Sequence, residues 1–442
     1  MKANVLLIVP RYFSTETCGY IMPLGILYVS SALKKSKVAN VYTINLNHHN
    51  DSEKALKEII LNNSIDIVGT SGLSGQFIEV YPLLRMIKKI KPSIITIVGG
   101  GMITADPIPA MEAFDSLADF GVIGEGEISV PELINAINLN LNKESINGII
   151  YNENGQWIIT KRRDDIKDLD SIPFPDYESF DYDKYLDTNG EIENGTKYSP
   201  VAIIGGRSCK YNCTFCFHPS GSKYRQRSLD SIFSEIDYLV SHYKVNYIAL
   251  REELFSSDIT RVIEFCERMK PYPLVWSIQL RVDCIDDEIV NALANSNCRY
   301  IFLGIESADN RILKSMRKKI TIEQVEYALN LTIKAGLDTR STIIFGDSEE
   351  SMETANNTIK WWLKNRKMSS IALDMIIAFP GSTIYNVARK NGRIPDPVKF
   401  LKDGCPIINL SSNMTDREYA ELVSQISKYN GICYNIHNYK DL

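Results

Sequence analysis

Long apolar runs are missing from this chain of 442 residues. No stretch approaches the ~20 consecutive apolar residues that a membrane-spanning helix needs, so the sequence predicts no membrane span. The apolar run near the start is short and ends at Pro10 and Arg11, without the small-residue cleavage site of a signal peptide. We interpret it as a buried first strand and expect a cytoplasmic protein.

An excess of basic residues is also missing, because the chain has 49 Lys and Arg residues against 54 Asp and Glu residues and its net charge is −5. That balance argues against the basic footprint typical of nucleic-acid binding. The hydrophobic fraction of 44% and the charged fraction of 23% are those of a globular protein. The length predicts two or three domains.

Cysteine is sparse, with nine residues in the whole chain, which excludes a disulfide scaffold. Six cysteines are scattered, and we expect them to be small buried apolar side chains: Cys18, Cys266, Cys284, Cys298, Cys405 and Cys433. The other three lie within eight residues of one another.

The N-terminal third alternates short apolar runs with amphipathic stretches. Strands are predicted at residues 4–9, 41–46, 66–70 and 94–98, with helices at 24–35, 53–61 and 80–89 between them. This alternation predicts a doubly wound parallel sheet over residues 1–147. Ligands on such sheets bind at the carboxyl ends of the strands, which here carry glycine-rich segments at 71–76, 99–101 and 121–127.

The pattern breaks over residues 148–195, where a hairpin around Asn154-Gly155 and a Pro-rich stretch are expected to connect two domains. From residue 196 to 386 the alternation resumes, with strands predicted at 201–204, 247–250, 275–280, 300–303, 340–345 and 371–379. Six strand–helix units in succession predict a partial (β/α)6 barrel with its site at the strand C-termini. Residues 387–442 are expected to be a short tail with one clear helix, at 416–428.

Cys209, Cys213 and Cys216 follow the first barrel strand. Three thiolates on one loop can hold three corners of an iron–sulfur cubane and leave the fourth iron open. Structural zinc usually needs four protein ligands, and the sequence has no second Cys-x-x-Cys pair, with only His218 nearby. Chance clustering of core cysteines is the remaining alternative.

At these residues the chain resembles the radical S-adenosylmethionine (SAM) superfamily, whose signature is Cys-x3-Cys-x-aromatic-Cys, with Phe215 at the aromatic position. The resemblance covers residues 200 to about 385. It implies a [4Fe–4S] cluster whose open iron chelates SAM, and cleavage of SAM to a 5′-deoxyadenosyl radical. It also implies an external electron donor such as flavodoxin or ferredoxin.

Charged residues at three further strand ends match features of the same superfamily. Glu252 and Glu253 follow the second barrel strand, Arg281 the third and Glu306 the fourth. The resemblance assigns them to SAM, since a carboxylate suits an ammonium group and an arginine suits a carboxylate. The alternative is that they are solvated charges. The segment 378–385 resembles the family's Pro-Gly-Thr segment, for which we expect a structural role.

A doubly wound domain ahead of such a barrel resembles the cobalamin-binding subclass. Ser71-x-Leu73 and Gly99-Gly100, with the adjoining Gly101, match the Ser-x-Leu and Gly-Gly elements that bracket the nucleotide tail of base-off cobalamin. The Asp-x-His-x-x-Gly element, whose histidine ligates cobalt, is missing from residues 10–19, and many relatives lack it. His48 and His49 follow the second strand and are interpreted as a solvated capping turn. The alternative is a flavodoxin-like domain that keeps no ligand.

The resemblance implies a cobalamin-dependent radical SAM methyltransferase that acts on an unactivated carbon. The short tail favours a small-molecule substrate over a macromolecule, and neither nucleic acid nor membrane is expected as a partner. A radical SAM dehydratase, cyclase or rearranging enzyme with a degenerate cobalamin domain is the alternative among enzymes. A cobalamin or iron–sulfur sensor is the alternative outside them.

Overall fold

The computed structural model of the chain describes residues 2–12, 20–193, 195–221, 223–255, 258–367 and 369–431. The chain divides into two compact units. The first is drawn from Met1–Pro200, His218–Gly221 and Asp396–Gly404, and the second from Val201–Phe217, Ser222–Pro395 and Cys405–Leu442. Within the described ranges, no helix combines the length and the apolar character that crossing a membrane requires.

The first unit contains a seven-stranded sheet with the order β2-β1-β3-β4-β5-β6-β7. Strands β1 to β5 run parallel, and β1 is buried over nearly its whole length, as expected where helices cover both faces. The strands are β1 (Ala3–Val9), β2 (Ala39–Asn45), β3 (Ile67–Ser71), β4 (Ile95–Gly99), β5 (Phe120–Val122), β6 (Ile149–Glu153) and β7 (Gln156–Ile159).

Helices connect the parallel strands of this sheet. They are α1 (Leu24–Ser36), α2 (Ser52–Asn62), α3 (Phe77–Ile90), α4 (Gly101–Ala105), α5 (Pro107–Ala113) and α6 (Gly126–Leu139), with α7 (Tyr182–Thr188) further on. Local sequence sets their ends: the Asp51 carboxylate accepts a hydrogen bond from the Lys54 N–H at 2.9 Å and caps α2. The doubly wound sheet predicted from the sequence is confirmed.

The hairpin of β6 and β7 belongs to this sheet, which corrects its assignment to the interdomain connection. It turns at Asn154 and Gly155, both with positive φ. β6 pairs antiparallel with β5, and the rings of Tyr151 and Phe120 lie 5.8 Å apart between centroids. The apolar residues of β6 are buried by this pairing, so the sheet extends past residue 147.

The second unit contains a six-stranded sheet whose strands follow chain order. Two short antiparallel pairs are separate from this sheet: β8 (Glu191–Glu193) with β9 (Thr196–Tyr198) in the first unit, and β11 (Gly206–Arg207) with β12 (Arg225–Gln226) in the second. The sheet consists of β10 (Pro200–Ile203), β13 (Tyr247–Leu250), β14 (Val275–Leu280), β15 (Cys298–Glu306), β16 (Asp338–Phe345) and β17 (Ser370–Met375). The parallel register from β13 to β17 confirms the predicted partial (β/α)6 barrel.

The helices of the second unit alternate with its strands. They are α8 (Leu229–Tyr243), α9 (Ile259–Met269), α10 (Asp287–Ala294), α11 (Asn310–Ser315), α12 (Ile322–Lys334), α13 (Met352–Asn365) and α14 (Thr383–Lys390). The predicted last strand is too long, because pairing with β16 ends at Met375. The chain then turns before α14, and Gly381 has φ +86 in this turn.

The tail predicted for residues 387–442 is more divided than expected. Beyond α14 the chain forms α15 (Pro397–Lys402) and α16 (Asp416–Asn430). Residues 396–404 belong to the first unit, where the Lys402 ammonium contacts both carboxylate oxygens of Asp115 at 2.8 Å. Such a return depends on contacts between residues far apart in sequence, which local periodicity does not encode.

The scattered cysteines follow the prediction in part. Cys266 and Cys405 are buried, whereas Cys284 and Cys298 are only half-buried. Cys18 and Cys433 lie outside the described residues.

Candidate functional site

The three clustered cysteines lie on the loop between β11 and β12, after the first strand of the barrel sheet. Cys213 is buried, Cys209 is half-buried and Cys216 is exposed. The Cys216 N–H donates to the Cys213 carbonyl at 3.2 Å, so the chain turns tightly between these two residues. All three thiols therefore belong to one short, folded loop at the carboxyl end of the sheet.

Neighbouring segments hold this loop on two sides through Thr214. The Thr214 N–H donates to the Met316 carbonyl at 3.0 Å, and the Thr214 carbonyl accepts from the Ile384 N–H at 2.9 Å. A Cβ added to Gly381 would lie 2.5 Å from the ring of Phe217, so this ring packs directly on the glycine backbone. The segment around Gly381 thus supports the cysteine loop, in agreement with its predicted structural role.

The Cys213 and Cys216 thiols interact electrostatically. A hydrogen bond from Cys216 lowers the pKa of Cys213 to about 6, while the same bond raises the pKa of Cys216. Burial raises the pKa of Cys209. Among the described residues, no three His, Cys, Asp or Glu side chains converge as the ligands of a single metal ion would. A cubane binds each thiolate through a different iron and does not need such convergence.

Arg281 follows β14 and lies against the cysteine loop. Its guanidinium is 3.6 Å from the centroid of the Tyr211 ring. Two of its nitrogens donate to the Asp283 carboxylate at 2.9 and 3.0 Å, and Nη2 also donates to the Lys318 carbonyl at 2.8 Å. The guanidinium plane is fixed by these contacts, and its position next to Tyr211 brings it to the predicted site.

Glu306 ends β15 with φ +66, an unusual conformation for a residue with a side chain. Its carboxylate accepts a hydrogen bond from the Lys318 ammonium at 2.6 Å. Lys318 is only 7% exposed, and sequence reasoning missed it because Arg317-Lys318-Lys319 has the pattern of a solvated basic stretch. The residue in the sequence that relates to the burial of Lys318 is Gly304, because a Cβ at this position would lie 2.6 Å from the Lys318 ammonium.

The two adjacent glutamates after β13 occupy different environments. Glu253 is half-buried and near enough to Cys209 for its charge to add to burial in raising the pKa of that thiol. Glu252 is buried, and burial raises its pKa to about 8. Neither of its carboxylate oxygens has a hydrogen-bond partner within the described residues. Both oxygens lie against the backbone of Gly205 and Gly206, which leads into the cysteine loop.

The carboxyl ends of β3 and β4 form the predicted site of the first unit. The Gly72 N–H donates to the Gly99 carbonyl at 3.3 Å, and the Met102 N–H donates to the Gly72 carbonyl at 3.0 Å. A Cβ on Gly100 would lie 2.7 Å from the Gly72 oxygen and 3.4 Å from the Cβ of Ser71. Only glycine permits this approach, so the two loops form one continuous backbone cradle.

Side chains around the cradle give it an apolar rim. Leu73 is 57% exposed, an unusual setting for leucine, and a Cβ on Gly101 would lie 2.9 Å from its methyl group. The Thr104 hydroxyl donates to the Gly100 carbonyl at 3.0 Å and accepts from the Gly124 N–H at 2.9 Å. Thr104 thereby joins the loop after β5 to the cradle.

The structure corrects the interpretation of His48 as a solvated residue. Its side chain is 1% exposed, and its Nε2 lies 3.3 Å from the Tyr20 hydroxyl and from the Asn45 amide nitrogen. Burial lowers its pKa. The capping role in this turn belongs to Asp51. In the loop after β1, residues 13–19 lie outside the described residues.

Comparisons with known proteins match the two regions of the chain that contain these residues. Residues 203–361 match the radical SAM superfamily, and residues 14–134 match the B12 binding domain. An uncharacterized methyltransferase of Pyrococcus horikoshii is 27% identical over 84% of this chain and 79% of its own length. The anaerobic magnesium-protoporphyrin IX monomethyl ester cyclase of Rubrivivax gelatinosus is 28% identical over 81% of this chain, which spans 65% of that relative.

Among solved structures, the radical SAM methyltransferase TsrM of Kitasatospora setae, with cobalamin and a [4Fe–4S] cluster bound, superposes with a TM-score of 0.72. It shares 18% identity, and the match covers 88% of this chain and 78% of TsrM. At this identity the likeness concerns the fold. The match to the radical SAM superfamily includes the cysteine loop and the B12-domain match includes the glycine cradle. The chain is therefore an enzyme that contains a radical SAM domain and a B12 binding domain.

Proposed function

We propose that this enzyme is a cobalamin-dependent methyltransferase that acts on an unactivated carbon of a small-molecule substrate. The observation that carries the proposal is that one chain holds a supported three-cysteine loop at the strand ends of one unit and a glycine cradle at those of the other. The Pyrococcus relative is named a methyltransferase, and so is TsrM, which binds both cofactors.

When bound, the cluster would supply one-electron reduction of SAM, and cobalamin would supply a methyl carrier. Cys209, Cys213 and Cys216 would hold the cluster as thiolates. Three protein ligands leave one corner for SAM. Glu253 would face the SAM amine, and Arg281, oriented by Asp283, would face the SAM carboxylate.

In the first unit, the loops at Ser71 and Gly99–Gly101 would receive the nucleotide tail of cobalamin, with Leu73 as an apolar wall. The cobalt would have no histidine ligand from the β1 loop, because the sequence has no histidine before His48. His48 is itself enclosed by Tyr20 and Asn45. Neither the β1 loop nor His48 would therefore supply a histidine ligand to the cobalt.

The cellular compartment and the electron donor of the enzyme follow from the same chemistry. Reduced thiols are maintained in reducing compartments, so we expect the enzyme in the cytoplasm. The chain provides one cysteine loop and no other cysteine pair at cluster spacing, so the electron would come from an external donor such as flavodoxin or ferredoxin.

The test is anaerobic incubation of reconstituted enzyme with a cell extract, cobalamin, a reductant and SAM labelled in its methyl group. We expect a metabolite that gains one labelled methyl group, and 5′-deoxyadenosine formed in proportion to it. The matched control replaces Cys209, Cys213 and Cys216 by alanine, which should abolish both products together with iron uptake. Labelled methyl transfer by that variant would contradict the proposal.

The relationship to the cyclase of Rubrivivax gelatinosus favours one alternative, a radical SAM cyclase or another enzyme that transfers no methyl group. This alternative predicts that 5′-deoxyadenosine forms and that the altered metabolite carries no labelled methyl group. If neither 5′-deoxyadenosine nor any altered metabolite forms, the result favours a sensor.

A further inference from the structure

Lys318 is a buried cation beside the cysteine loop. Lysine is almost never buried without a partner, and this one is 7% exposed and contacts Glu306 at 2.6 Å. The long side chain of a lysine on a surface turn usually extends its ammonium group into water. A buried ion pair often stabilises a folded protein no more than apolar side chains of similar size do. Stability alone therefore does not explain why this lysine is buried.

The backbone around Lys318 is built to keep it there. Arg317 and Lys319, on either side, both adopt positive φ, at 54° and 58°. The Lys318 N–H donates to the Leu313 carbonyl at 3.0 Å, and its own carbonyl accepts from Arg281 at 2.8 Å. Gly304 leaves open the space that the ammonium occupies. These contacts determine the position of the side chain closely.

The same turn touches the cysteine loop directly. Met316, two residues before Lys318, accepts the hydrogen bond from Thr214, which lies between Cys213 and Cys216 in the sequence. The Lys318 carbonyl also accepts from Arg281, whose guanidinium lies 3.6 Å from the centroid of the Tyr211 ring in the same loop. The ammonium of Lys318 and the carboxylate of Glu306 carry opposite charges, so they act on the loop with opposite signs.

We propose that Lys318 is a positioning residue that sets the reduction potential of the cluster held by the three cysteines, with Glu306 acting in the opposite direction. Reduction adds one electron, from the external donor, and hence one negative charge to the cluster. A fixed positive charge nearby stabilises that reduced form, and a fixed negative charge destabilises it. The inference rests on the cluster of the proposed function and not on methyl transfer.

The experiment measures the midpoint potential of the reconstituted cluster in the full chain, by a dithionite titration followed by electron paramagnetic resonance. It is done without SAM and without cobalamin. Lys318→Gln should lower the potential and Glu306→Gln should raise it, each by at least the tenfold change in equilibrium that corresponds to about 59 mV for one electron. Lys318→Arg should stay close to the wild type.

Lys319→Gln is the matched control, because Lys319 is the adjacent lysine and is exposed. It should leave the potential unchanged. If Lys318→Gln takes up no cluster, the double variant Lys318→Gln/Glu306→Gln removes both charges and should restore uptake with a potential near that of the wild type. Shifts of the same sign in the two single variants, or no shift, would overturn the inference. A wild-type protein that binds no iron would instead overturn the proposed function.

Discussion

Replacing Gly100 by alanine should open the glycine cradle and prevent cobalamin uptake. Gly100 has φ +85 and ψ −169, a conformation almost restricted to glycine, and a side chain there costs ~1–3 kcal/mol. The added Cβ would also lie 2.7 Å from the Gly72 oxygen and 3.1 Å from its nitrogen. Backbone atoms cannot rotate away as a side chain does, so crowding adds a further ~1–3 kcal/mol.

The variant Gly155→Ala separates the cost of the backbone conformation from the cost of crowding. Gly155 also has φ +85, but its added Cβ would have no neighbour within 4 Å. This control should lose only the ~1–2 kcal/mol of a left-handed conformation and should bind cobalamin normally. Chemical denaturation measures the free energy of unfolding, and the absorption spectrum after desalting measures retained cobalamin. If Gly100→Ala is as stable as Gly155→Ala and retains as much cobalamin, the cradle is not the binding site.

Three further predictions concern single side chains. Leu73→Ala should leave stability nearly unchanged, because Leu73 is 57% exposed, and should weaken cobalamin binding by ~1.5–3 kcal/mol in an equilibrium titration if the ligand covers it. Arg281→Ala should weaken SAM binding by ~1.5–3 kcal/mol in calorimetry while the iron content stays the same, and an unchanged affinity would make it a purely structural residue. Glu252 binds its proton more tightly when folded, so stability of the cofactor-free protein should fall as pH rises from about 4.5 to about 8, where it ionises. Denaturation curves of Glu252→Gln should lack this part of the pH dependence, and curves that coincide with the wild type would contradict it.

The sequence was enough to predict features that depend on local patterns. Alternating apolar and amphipathic stretches predicted both sheets, and β13 and β14 begin and end at the predicted residues. The cysteine loop was recognisable because its spacing is a local property. The positions of Arg281 and Glu253 beside that loop follow from parallel strands, whose carboxyl ends lie along one edge.

Other features depend on contacts that no local pattern records. β6 joins β5 because its apolar face meets Phe120, and α15 joins the first unit through residues nearly 300 positions earlier, such as Asp115. The burial of Lys318 depends on the space left by Gly304, in a different strand. Glu252 and Glu253 look alike in sequence, and only the fold shows that Glu252 is buried against Gly205 and Gly206 while Glu253 is half-buried.

The charged residues near the cysteine loop form one connected network of hydrogen bonds, so a substitution of one of them affects the others. Arg281 donates to the carbonyl of Lys318, Lys318 donates to Glu306, and the same turn binds Thr214 through Met316. Loss of the Arg281 side chain therefore frees the backbone that holds Lys318. Residues that share partners in this way are not energetically independent. SAM affinity and cluster potential should thus change together in variants of Arg281, and a double-mutant cycle with Lys318 should show a coupling that distant pairs lack.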